Sequence, residues 1–573
     1  MNKYQSYQNP TKEIPTEHSA WPLYGAGVES LGKNGKPVER PVPAFSDDEL
    51  LMRIDAVSLC YTDVKEIKQG PNHPRLTGRD LTVDPIVPGH EICMTVVAVG
   101  KNLADSYQIG DRYTMQPDVW VDGKSIPFCF GMDGGYRQYA KIGAEILQGD
   151  AGNYLIPIPD DMSYAASAIT EPWACVEAAY RMQYRTKIAD SGSVWVIGGD
   201  GMRSDFDFTD ILKDSNPGQI TVTNVHSSVL ENLKTICEKN SIPITEIAWS
   251  DGVQLECAYD DVIALDCSAS MIDQASKKIA KNGILALLQQ GEMQNKFEMD
   301  LGRLHYDNIL FVGSEKINVA DAYQQTPARV TLKENGIAWI LGAGGPMGRM
   351  HLQRAIESKS GPRFIIASEV TQDRFASLKD FFEPLAQRHE KELVIIDPVR
   401  EKEEYESLMA KVIDEGGVDD IEVMVAVAPV IEDAPKFLAK DGVMNLFAGL
   451  KRGVCGKFDA GLIYGPRQAR YIGHSGSALA DQRAVVDRSI SGELKPELSV
   501  AAVGGFNQIA DGIRAMKEWI YPGKIVIYPH VPNYPLTALY EFEQKDQEIY
   551  EALGEGSTWT ARAESIFLDK ELD

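Results

Sequence analysis

Residues 85–91 have the sequence Pro-Ile-Val-Pro-Gly-His-Glu and are followed by the apolar run 92–99. The run predicts a strand, and His90 and Glu91 at its edge can place two ligands on one metal ion. Cys60 lies thirty residues before His90, and Glu171 lies eighty residues after Glu91. Zinc takes thiolate, imidazole and carboxylate ligands, and a catalytic zinc keeps one position open for water or substrate. These four residues therefore predict a catalytic metal site.

The length and charge of the chain limit the number of domains and the kinds of partner that are expected. At 573 residues it is too long for one hydrophobic core, and roughly three or four compact units are expected. Its 83 acidic and 57 basic residues give a formal net charge of −26, which argues against nucleic acid or a membrane surface as a partner. The N-terminus lacks the pattern of a secretory signal, and no apolar run approaches the length of a membrane span. These features predict a cytoplasmic protein.

Cysteine usage indicates a reducing compartment. The cysteines are spread along the chain, and no two have the Cys-x-x-Cys spacing, so a disulfide framework is not expected. The eight are Cys60, Cys93, Cys129, Cys175, Cys237, Cys257, Cys267 and Cys455.

The first part of the chain, residues 1–187, predicts a β-rich domain that carries the metal site. Short predicted strands with glycine-rich turns between them are typical of a barrel-like unit. These strands are expected at 50–59, 96–100, 110–113 and 134–142. Residues 164–181 have helical spacing and contain Glu171. Residues 489–573 are expected to return to this domain with a helix, a strand and a polar helical tail.

Two tandem Rossmann-like domains of the α/β class are predicted between these parts, at 188–330 and 331–488. Apolar runs alternate there with helical stretches, as in a doubly wound parallel sheet covered by helices. The pair Asp261 and Asp420 and the pair Gly283 and Gly442 are each 159 residues apart. This shared offset indicates an internal duplication of one whole domain. Chance similarity of two α/β units is the weaker alternative.

The second copy has a candidate nucleotide-binding turn. The run 337–341 predicts a strand, and Gly344-Gly345-Pro346-Met347-Gly348 follows it before a predicted helix. Such a turn lets the backbone and a helix N-terminus approach a pyrophosphate. Glu369 stands at the end of the next predicted strand, where a carboxylate binds ribose hydroxyls and repels a 2′-phosphate. The second copy therefore predicts NAD binding, with NADP disfavoured, although Ala343 occupies the position of the first motif glycine.

The first copy departs from this pattern. Asp200 places negative charge in its turn, Ser204 stands where the third glycine is expected, and its second strand ends at Asn224. These differences predict a degenerate copy that serves packing or dimerisation, and a changed ligand preference is the alternative.

Taken together, several motifs resemble those of the zinc-dependent medium-chain dehydrogenases, in the polyol (sorbitol) dehydrogenase branch. In the first domain they are 58–60, 65–66 with 69–70, 85–91, 110–113 and 171–172 with Cys175. In the second copy they are 340–342 with 345–348, 445–449 and 474–476. The motifs lie within 45–185 and 333–530, so the first copy is predicted to be an insertion.

The resemblance implies a GroES-like catalytic domain, a Rossmann cofactor domain and an active site between them. It implies that Cys60, His90 and Glu171 ligate one catalytic zinc, with Glu91 a near or exchanging ligand. Thr62 would pass the alcohol proton to solvent. Only Cys129 lies in the region of the structural zinc lobe of that family, so no second zinc is expected. The family also implies a homo-oligomer, either a dimer or a tetramer.

Each residue has an ordinary interpretation when taken alone. Cys60 resembles a small core residue, His90 a satisfied core histidine, and Glu171 before Pro172 an acid at a helix start. Their joint spacing favours the metal site. Cys175 is predicted to be core. Other charged residues near predicted loops are assigned no firm role: Lys65 and Arg75 could meet a substrate phosphate, and His474 could lie near the cofactor.

Three functional hypotheses follow. The first is a zinc- and NAD-dependent oxidoreductase acting on a polyol, a sugar or a sugar phosphate. The second is an epimerase that oxidises its substrate transiently with bound NAD. The third is a non-enzymatic nucleotide-binding scaffold.

Overall fold

The computed structural model describes residues 2–10, 13–254, 258–324, 331–554 and 557–572. Within these ranges the chain forms two compact units, residues 1–177 with 476–573 and residues 178–475. The seven cysteines in the described ranges are free thiols, and Cys257 lies outside them. Among the described helices, none is both long and apolar enough to cross a bilayer.

The strands of the described residues are β1 Glu17–Ala20, β2 Val38–Pro41, β3 Leu50–Ser58, β4 Glu91–Val99, β5 Arg112–Met115, β6 Trp120–Val121, β7 Lys124–Ser125, β8 Tyr139–Ile142, β9 Leu155–Pro157, β10 Ser193–Gly198, β11 Gln219–Thr223, β12 Ile244–Glu246, β13 Tyr259–Leu265, β14 Ile279–Leu288, β15 Phe297–Asp300, β16 Leu310–Ser314, β17 Ile337–Leu341, β18 Phe364–Ser368, β19 Glu392–Ile396, β20 Val418–Val423, β21 Leu438–Leu446, β22 Cys455–Phe458, β23 Arg470–Gly473, β24 Val500–Gly505, β25 Lys524–Tyr528 and β26 Thr537–Ala538.

The α-helices of the same residues are α1 Lys3–Gln8, α2 Tyr61–Gln69, α3 Ala144–Leu147, α4 Tyr164–Ala179, α5 Thr209–Lys213, α6 Ser227–Asn240, α7 Trp249–Gly252, α8 Ala269–Ser276, α9 Leu301–Tyr306, α10 Val319–Gln324, α11 Pro346–Glu357, α12 Gln372–Arg388, α13 Lys402–Asp414, α14 Ala428–Asp433, α15 Gly461–Tyr464, α16 Leu479–Ile490, α17 Ile509–Glu518, α18 Phe542–Lys545, α19 Gln547–Ala552 and α20 Ala561–Glu571.

The first unit is the predicted GroES-like β domain. Its main sheet has the strand order β26-β24-β25-β3-β4-β5-β9, and β8 also pairs with β3. Every residue of β3 is buried, and the strand pairs with β25, β4 and β8. β25 comes from the C-terminal part of the chain and pairs antiparallel with the end of β3. The C-terminal part of the chain therefore contributes a strand to this sheet.

The C-terminal helix α20 supports the helix that carries Glu171. The buried Glu564 side chain accepts hydrogen bonds from the backbone N–H groups of Tyr164 (2.6 Å) and Ala165 (2.9 Å) at the start of α4. A carboxylate at a helix N-terminus satisfies free N–H groups and the positive end of the helix dipole. The Tyr528 hydroxyl donates a third hydrogen bond to Glu564. The predicted polar tail thus has a defined structural task in the first unit.

The second unit contains both predicted Rossmann-like copies in one sheet. The twelve described strands have the order β12-β11-β10-β13-β14-β16-β23-β21-β20-β17-β18-β19. Within each half all neighbouring strands are parallel, and helices cover both faces. This arrangement confirms the predicted α/β class with tandem Rossmann-like units. The exact division of the chain at 187/188, 330/331 and 488/489 stays a prediction.

Candidate active site

The pairing of β3 with β4 brings Cys60, His90 and Glu91 together. Ser58, the last residue of β3, lies opposite Glu91, the first residue of β4. Cys60 follows two residues later as the N-cap of α2, and His90 precedes Glu91. One ligand atom from each of the three side chains lies within 4.8 Å of the others. The structure therefore forms a cluster from segments thirty residues apart.

The turn before His90 requires glycine. Gly89 has φ of +92°, and a Cβ atom there would stand 2.4 Å from the ring of Tyr136. A side chain at this position would be strained and would collide with a buried ring, so the turn accepts only glycine. The conformation of this turn fixes where His90 leaves the sheet.

Asp63 orients the imidazole of His90. Its Oδ1 lies 3.2 Å from His90 Nδ1, and its Oδ2 accepts hydrogen bonds from the Cys60 N–H (2.9 Å) and the Tyr136 hydroxyl (2.7 Å). A carboxylate on Nδ1 leaves Nε2 available to a metal, which is the usual arrangement for a metal-binding histidine. Burial alone would lower the pKa of His90, but Asp63 and Cys60 outweigh it and hold that pKa well above its ordinary value.

Glu91 is held by Lys524 and keeps one oxygen without a partner. Lys524 Nζ, from β25, lies 2.5 Å from Glu91 Oε1 and also donates to the Leu59 carbonyl at 3.0 Å. Burial would lower the pKa of Lys524, but the Glu91 carboxylate beside it raises that pKa above its ordinary value. Glu91 Oε2 is buried and has no hydrogen-bond partner. An unpaired buried carboxylate oxygen is costly unless a cation or donor satisfies it.

Glu171 lies beside this cluster rather than within it. In the described residues the set of mutually close ligand atoms includes Glu91 but not Glu171. The pKa of Glu171 is raised to about 7, mainly by burial; the Glu91 charge also raises it, and His90 and Lys524 lower it. The charges of the cluster therefore act on Glu171. The mutually close set contains Glu91, and the role of Glu171 as a zinc ligand stays a prediction.

The remaining predicted residues surround the cluster. Thr62 is half-exposed in the first turn of α2, and its N–H donates to Cys60 Sγ at 3.4 Å. Cys175 lies one helical turn beyond Glu171, and burial raises the pKa of its thiol well above the ordinary value. Arg75 forms an ion pair with Asp118 at 3.2 Å, stacks over the Phe130 ring and keeps half of its side chain exposed. The Lys65 side chain is exposed on α2.

Two features of the cluster fit a divalent cation. Cys60, His90 and Glu91 supply sulfur, nitrogen and oxygen ligands of the kinds that zinc prefers. The unpartnered Glu91 Oε2 and the Asp63-oriented imidazole are the groups that a bound cation would satisfy. The donor set and its hydrogen bonds are therefore those of a metal site.

The predicted cofactor turn lies in the second unit between β17 and α11. Gly345 is the N-cap of α11 and Pro346 is its first residue, a position where proline costs no hydrogen bond. Gly348 packs against the turn itself, since a Cβ there would lie 2.5 Å from the Gly342 carbonyl oxygen. The glycine turn therefore leads directly into the N-terminus of α11, which is the arrangement that binds a pyrophosphate.

Glu369 directly follows β18 and contacts the same turn. Its Oε2 accepts a hydrogen bond from the Gly344 N–H at 3.0 Å, and its Oε1 accepts from Val370 and Thr371. The predicted partner of the ribose hydroxyls is thus next to the predicted phosphate turn. Met347 lies in the first turn of α11, and the half-buried His474 immediately follows β23.

In the first copy, the equivalent turn is hydrogen-bonded to the side chain of Asp266. Asp266 accepts hydrogen bonds from the backbone N–H of Arg203 at 2.9 Å and from its guanidinium at 2.9 and 3.1 Å. No described helix begins at this turn, because the next one, α5, starts only at Thr209. The donors that would bind a phosphate are therefore used internally. This geometry agrees with the predicted degeneracy of the first copy.

Comparison with known proteins gives a family match and a number of relatives, three of which are described below. Residues 46–149 match the family described as the alcohol dehydrogenase GroES-like domain. Mannitol-1-phosphate 5-dehydrogenase of Aliivibrio fischeri is 22% identical over 505 residues, covering 87% of this chain and 85% of that protein. L-sorbose 1-phosphate reductase of Klebsiella pneumoniae is 27% identical over 304 residues, covering 49% and 72%. Sorbitol dehydrogenase of Bombyx mori is 30% identical over 197 residues, covering 32% and 50%.

The chain is therefore similar in sequence to alcohol and polyol dehydrogenases. Three further residues of the site, Asp63, Lys524 and Glu66, have no role that the sequence predicted. Asp63 had a usable signal, since it stands at the third helical position after the N-cap Cys60, where an acid bonds back to the cap. Lys524 lies 433 residues from Glu91 and had none.

Glu66 belongs to the motif at 65–66, but the sequence alone predicts no role for it in the site. Its side chain is buried, and neither carboxylate oxygen has a hydrogen-bond partner. Burial, and then the Asp63 charge, raises the pKa of Glu66 well above its ordinary value, while His90 and Arg75 lower it. Two acidic side chains, Asp63 and Glu66, are therefore close to His90.

We expect Asp63→Asn to weaken zinc binding about 10- to 100-fold, because the amide no longer offers a charged acceptor to His90 Nδ1. Competition with a chromophoric chelator measures this change. Asp105→Asn, an exposed acid of the same unit, is the control and should bind zinc as the wild type does. Equal zinc affinity in Asp63→Asn would show that Asp63 does not orient the ligand.

We expect the stability of the metal-free protein to fall as pH rises from about 4.5 to about 7. The folded protein holds the Glu171 proton more tightly than the unfolded chain across this window, since the pKa rises from 4.5 to about 7 on folding. The loss is on the order of 3 kcal/mol for this group. Thermal unfolding against pH should show a shallower fall for Glu171→Gln, and an unchanged profile for the exposed Glu543→Gln. A Glu171→Gln profile parallel to the wild type contradicts the assignment.

Proposed function

We propose that this protein is a zinc- and NAD-dependent oxidoreductase. It transfers a hydride between NAD and a secondary alcohol or ketone of a polyol, sugar or sugar phosphate. The observation that carries the proposal is the cluster of Cys60, His90 and Glu91 within 4.8 Å, with Asp63 behind the imidazole. The similarity of residues 46–149 to the alcohol dehydrogenase GroES-like domain supports it.

Cys60, His90 and Glu91 would hold the zinc, and Glu171 would serve as a further or exchanging ligand. A zinc ion bound there supplies Lewis-acid chemistry, which lowers the pKa of an alcohol and polarises a carbonyl. Lys524 holds Glu91 in place through the contact at 2.5 Å. Asp63, whose Oδ1 lies 3.2 Å from His90 Nδ1, orients that imidazole. The protein thus fixes the ligands before any substrate arrives.

Thr62 and Glu171 are the groups that would handle the substrate proton. In alcohol oxidation the substrate loses a proton from oxygen and a hydride from carbon, and NAD accepts the hydride. Thr62 is half-exposed next to Cys60, so its hydroxyl can pass a proton to solvent. Glu171, with a pKa of about 7 in the metal-free protein, can hold a proton near neutral pH.

The turn 344–348 and Glu369 would bind the cofactor. The backbone of Gly344, Gly345 and Gly348 and the start of α11 suit a pyrophosphate. Pro346 and Met347 begin that helix. Glu369 would exchange its hydrogen bond to Gly344 for the ribose hydroxyls, and its charge disfavours the 2′-phosphate of NADP.

A phosphorylated substrate is supported by two relatives and by Arg75. Two of the three relatives above have names that specify a sugar or polyol phosphate. Arg75 lies near Glu66 and His73, and its charge affects the pKa of both, while half of its guanidinium side chain is exposed. Lys65 also lowers the pKa of His73. These two cations are therefore the proposed contacts of a substrate phosphate.

Cys60→Ser should lose both bound zinc and NAD reduction. A serine hydroxyl is a poor zinc ligand compared with a thiolate. Metal analysis and absorbance of NADH over a panel of polyols and their phosphates measure the two properties. Cys455→Ser, a half-buried thiol of the other unit, should keep both. Retained activity in Cys60→Ser contradicts the proposal, and substrate turnover without NADH release would instead indicate an epimerase.

Arg75→Ala should raise the KM for a phosphorylated substrate at least tenfold and change the KM for its neutral polyol less than twofold, because only the phosphate uses the guanidinium charge. Steady-state kinetics on the matched pair measure the ratio. Lys68→Gln, an exposed cation of the same region, is the control and should alter neither value. Equal effects on both substrates would place Arg75 outside phosphate recognition.

A further inference from the structure

The twelve-stranded sheet of the second unit consists of two halves in mirrored order. From its outer edge each half has the same succession of strands, β12-β11-β10-β13-β14-β16 and β19-β18-β17-β20-β21-β23. Numbered along the chain, this is the 3-2-1-4-5-6 order of a dinucleotide-binding fold. The halves meet where β16 pairs antiparallel with β23. Two complete domains are therefore joined by their sixth strands.

The same backbone details occur in both halves. The β13–β14 pairing shifts register between Tyr259 and Asp261, and the β20–β21 pairing shifts between Val418 and Asp420. Asp261 accepts a hydrogen bond from the Ala189 N–H (2.9 Å), and Asp420 accepts one from the Lys333 N–H (2.8 Å).

Side-chain contacts repeat as well. The Trp195 indole donates to Thr223 at 3.0 Å, and the Trp339 indole donates to Ser368 at 2.9 Å. These matches make the two halves equivalent residue by residue.

Equivalent residues face each other at the join. Phe311, the second residue of β16, pairs with Tyr471, the second residue of β23. In the neighbouring ladder of β15 and β22, the first residue of each strand pairs with the last residue of the other, as Phe297 with Phe458 and Asp300 with Cys455. Phe311 thus meets its own counterpart, and the contacts of the β15–β22 ladder are reciprocal, as in a two-fold, isologous interface.

The join is packed like a protein core. Phe297, Phe311, Phe458 and Tyr471 are at most 1% exposed. Their ring centroids lie 5.7 Å (Phe297–Phe311), 6.4 Å (Phe297–Phe458) and 5.4 Å (Phe458–Tyr471) apart.

Polar contacts cross the same join. Arg452 forms an ion pair with Asp307 at 2.8 Å, and the Gly453 N–H donates to Asp300 at 2.9 Å. Without the first copy, β23 would expose unpaired backbone groups and aromatic surface, which favours association with another chain.

We infer that the first copy is an internal partner subunit. It closes the β23 edge of the nucleotide-binding copy within one chain, in place of a second copy of the protein. The closed turn at Arg203 and Asp266 agrees with this role, since a partner needs its packing surface and not its phosphate donors. The inference does not depend on the proposed reaction. A homo-oligomer, if formed, would use another surface.

A disulfide across the join tests the inference in the full-length protein. Glu298 and Lys457 are opposite each other in the β15–β22 ladder, and Lys457 is exposed. Glu298→Cys combined with Lys457→Cys should give linked peptides in a species of single-chain mass under non-reducing conditions. Each single variant is the control and should give no such link between positions 298 and 457. A link found only in a dimer, or no link, overturns the inference.

Hydrogen exchange on the unmodified chain provides an independent measurement. Amides of 310–314 and 470–473 should be protected equally at high and at hundredfold lower protein concentration, because the pairing is intramolecular. Protection that falls on dilution would show that a second chain covers β23, and would overturn the inference. Exchange rates of 219–223 and 364–368, inside each half, are the reference.

Discussion

The candidate metal centre depends on the antiparallel pairing of three neighbouring strands, β25, β3 and β4. Ser58 lies opposite both Glu91 and Val526. This pairing of Ser58 fixes the positions of Cys60, His90 and Glu91. It also positions Lys524, which lies two residues before Val526 on β25. A shift of one residue would turn side chains to the other face of the sheet. The chemistry of the site therefore rests on strand register.

Charge explains why this site suits a cation. Among the described residues, His90 and Lys524 are basic side chains paired with acidic groups here: His90 with Asp63 and Lys524 with Glu91. The nearby acidic or thiol groups are Cys60, Asp63, Glu66, Glu91 and Glu171. Crowded carboxylates in a buried place raise the pKa of one another, and a metal ion relieves that cost. Burial is the main cause of the raised pKa values of Glu66 and Glu171, and a neighbouring carboxylate, Asp63 or Glu91 respectively, adds to it.

Local sequence patterns predicted what local structure determines. The glycine turn before α11, the acid Glu369 after β18 and the duplication at Asp261 and Asp420 all follow from short motifs and their spacing. Lys524 and Glu564 did not follow, because each acts on a residue about 400 positions away through strand pairing or helix capping. A single sequence contains no local trace of such contacts.

The two copies share the residues that pack the sheet and differ at the turn where a nucleotide would bind. The features found in both are internal to the fold: the paired tryptophans, the register shift and the aspartate that bonds a backbone N–H before the first strand. The features that differ lie at the turn after the first strand of each copy. In the second copy α11 starts there at Pro346, whereas in the first copy Arg203 is hydrogen-bonded to Asp266. Loss of packing residues would destabilise the shared sheet by several kcal/mol for each large core side chain, whereas loss of a phosphate turn costs no stability. A copy that kept its core and its joining strand but closed its turn is therefore what an internal partner requires.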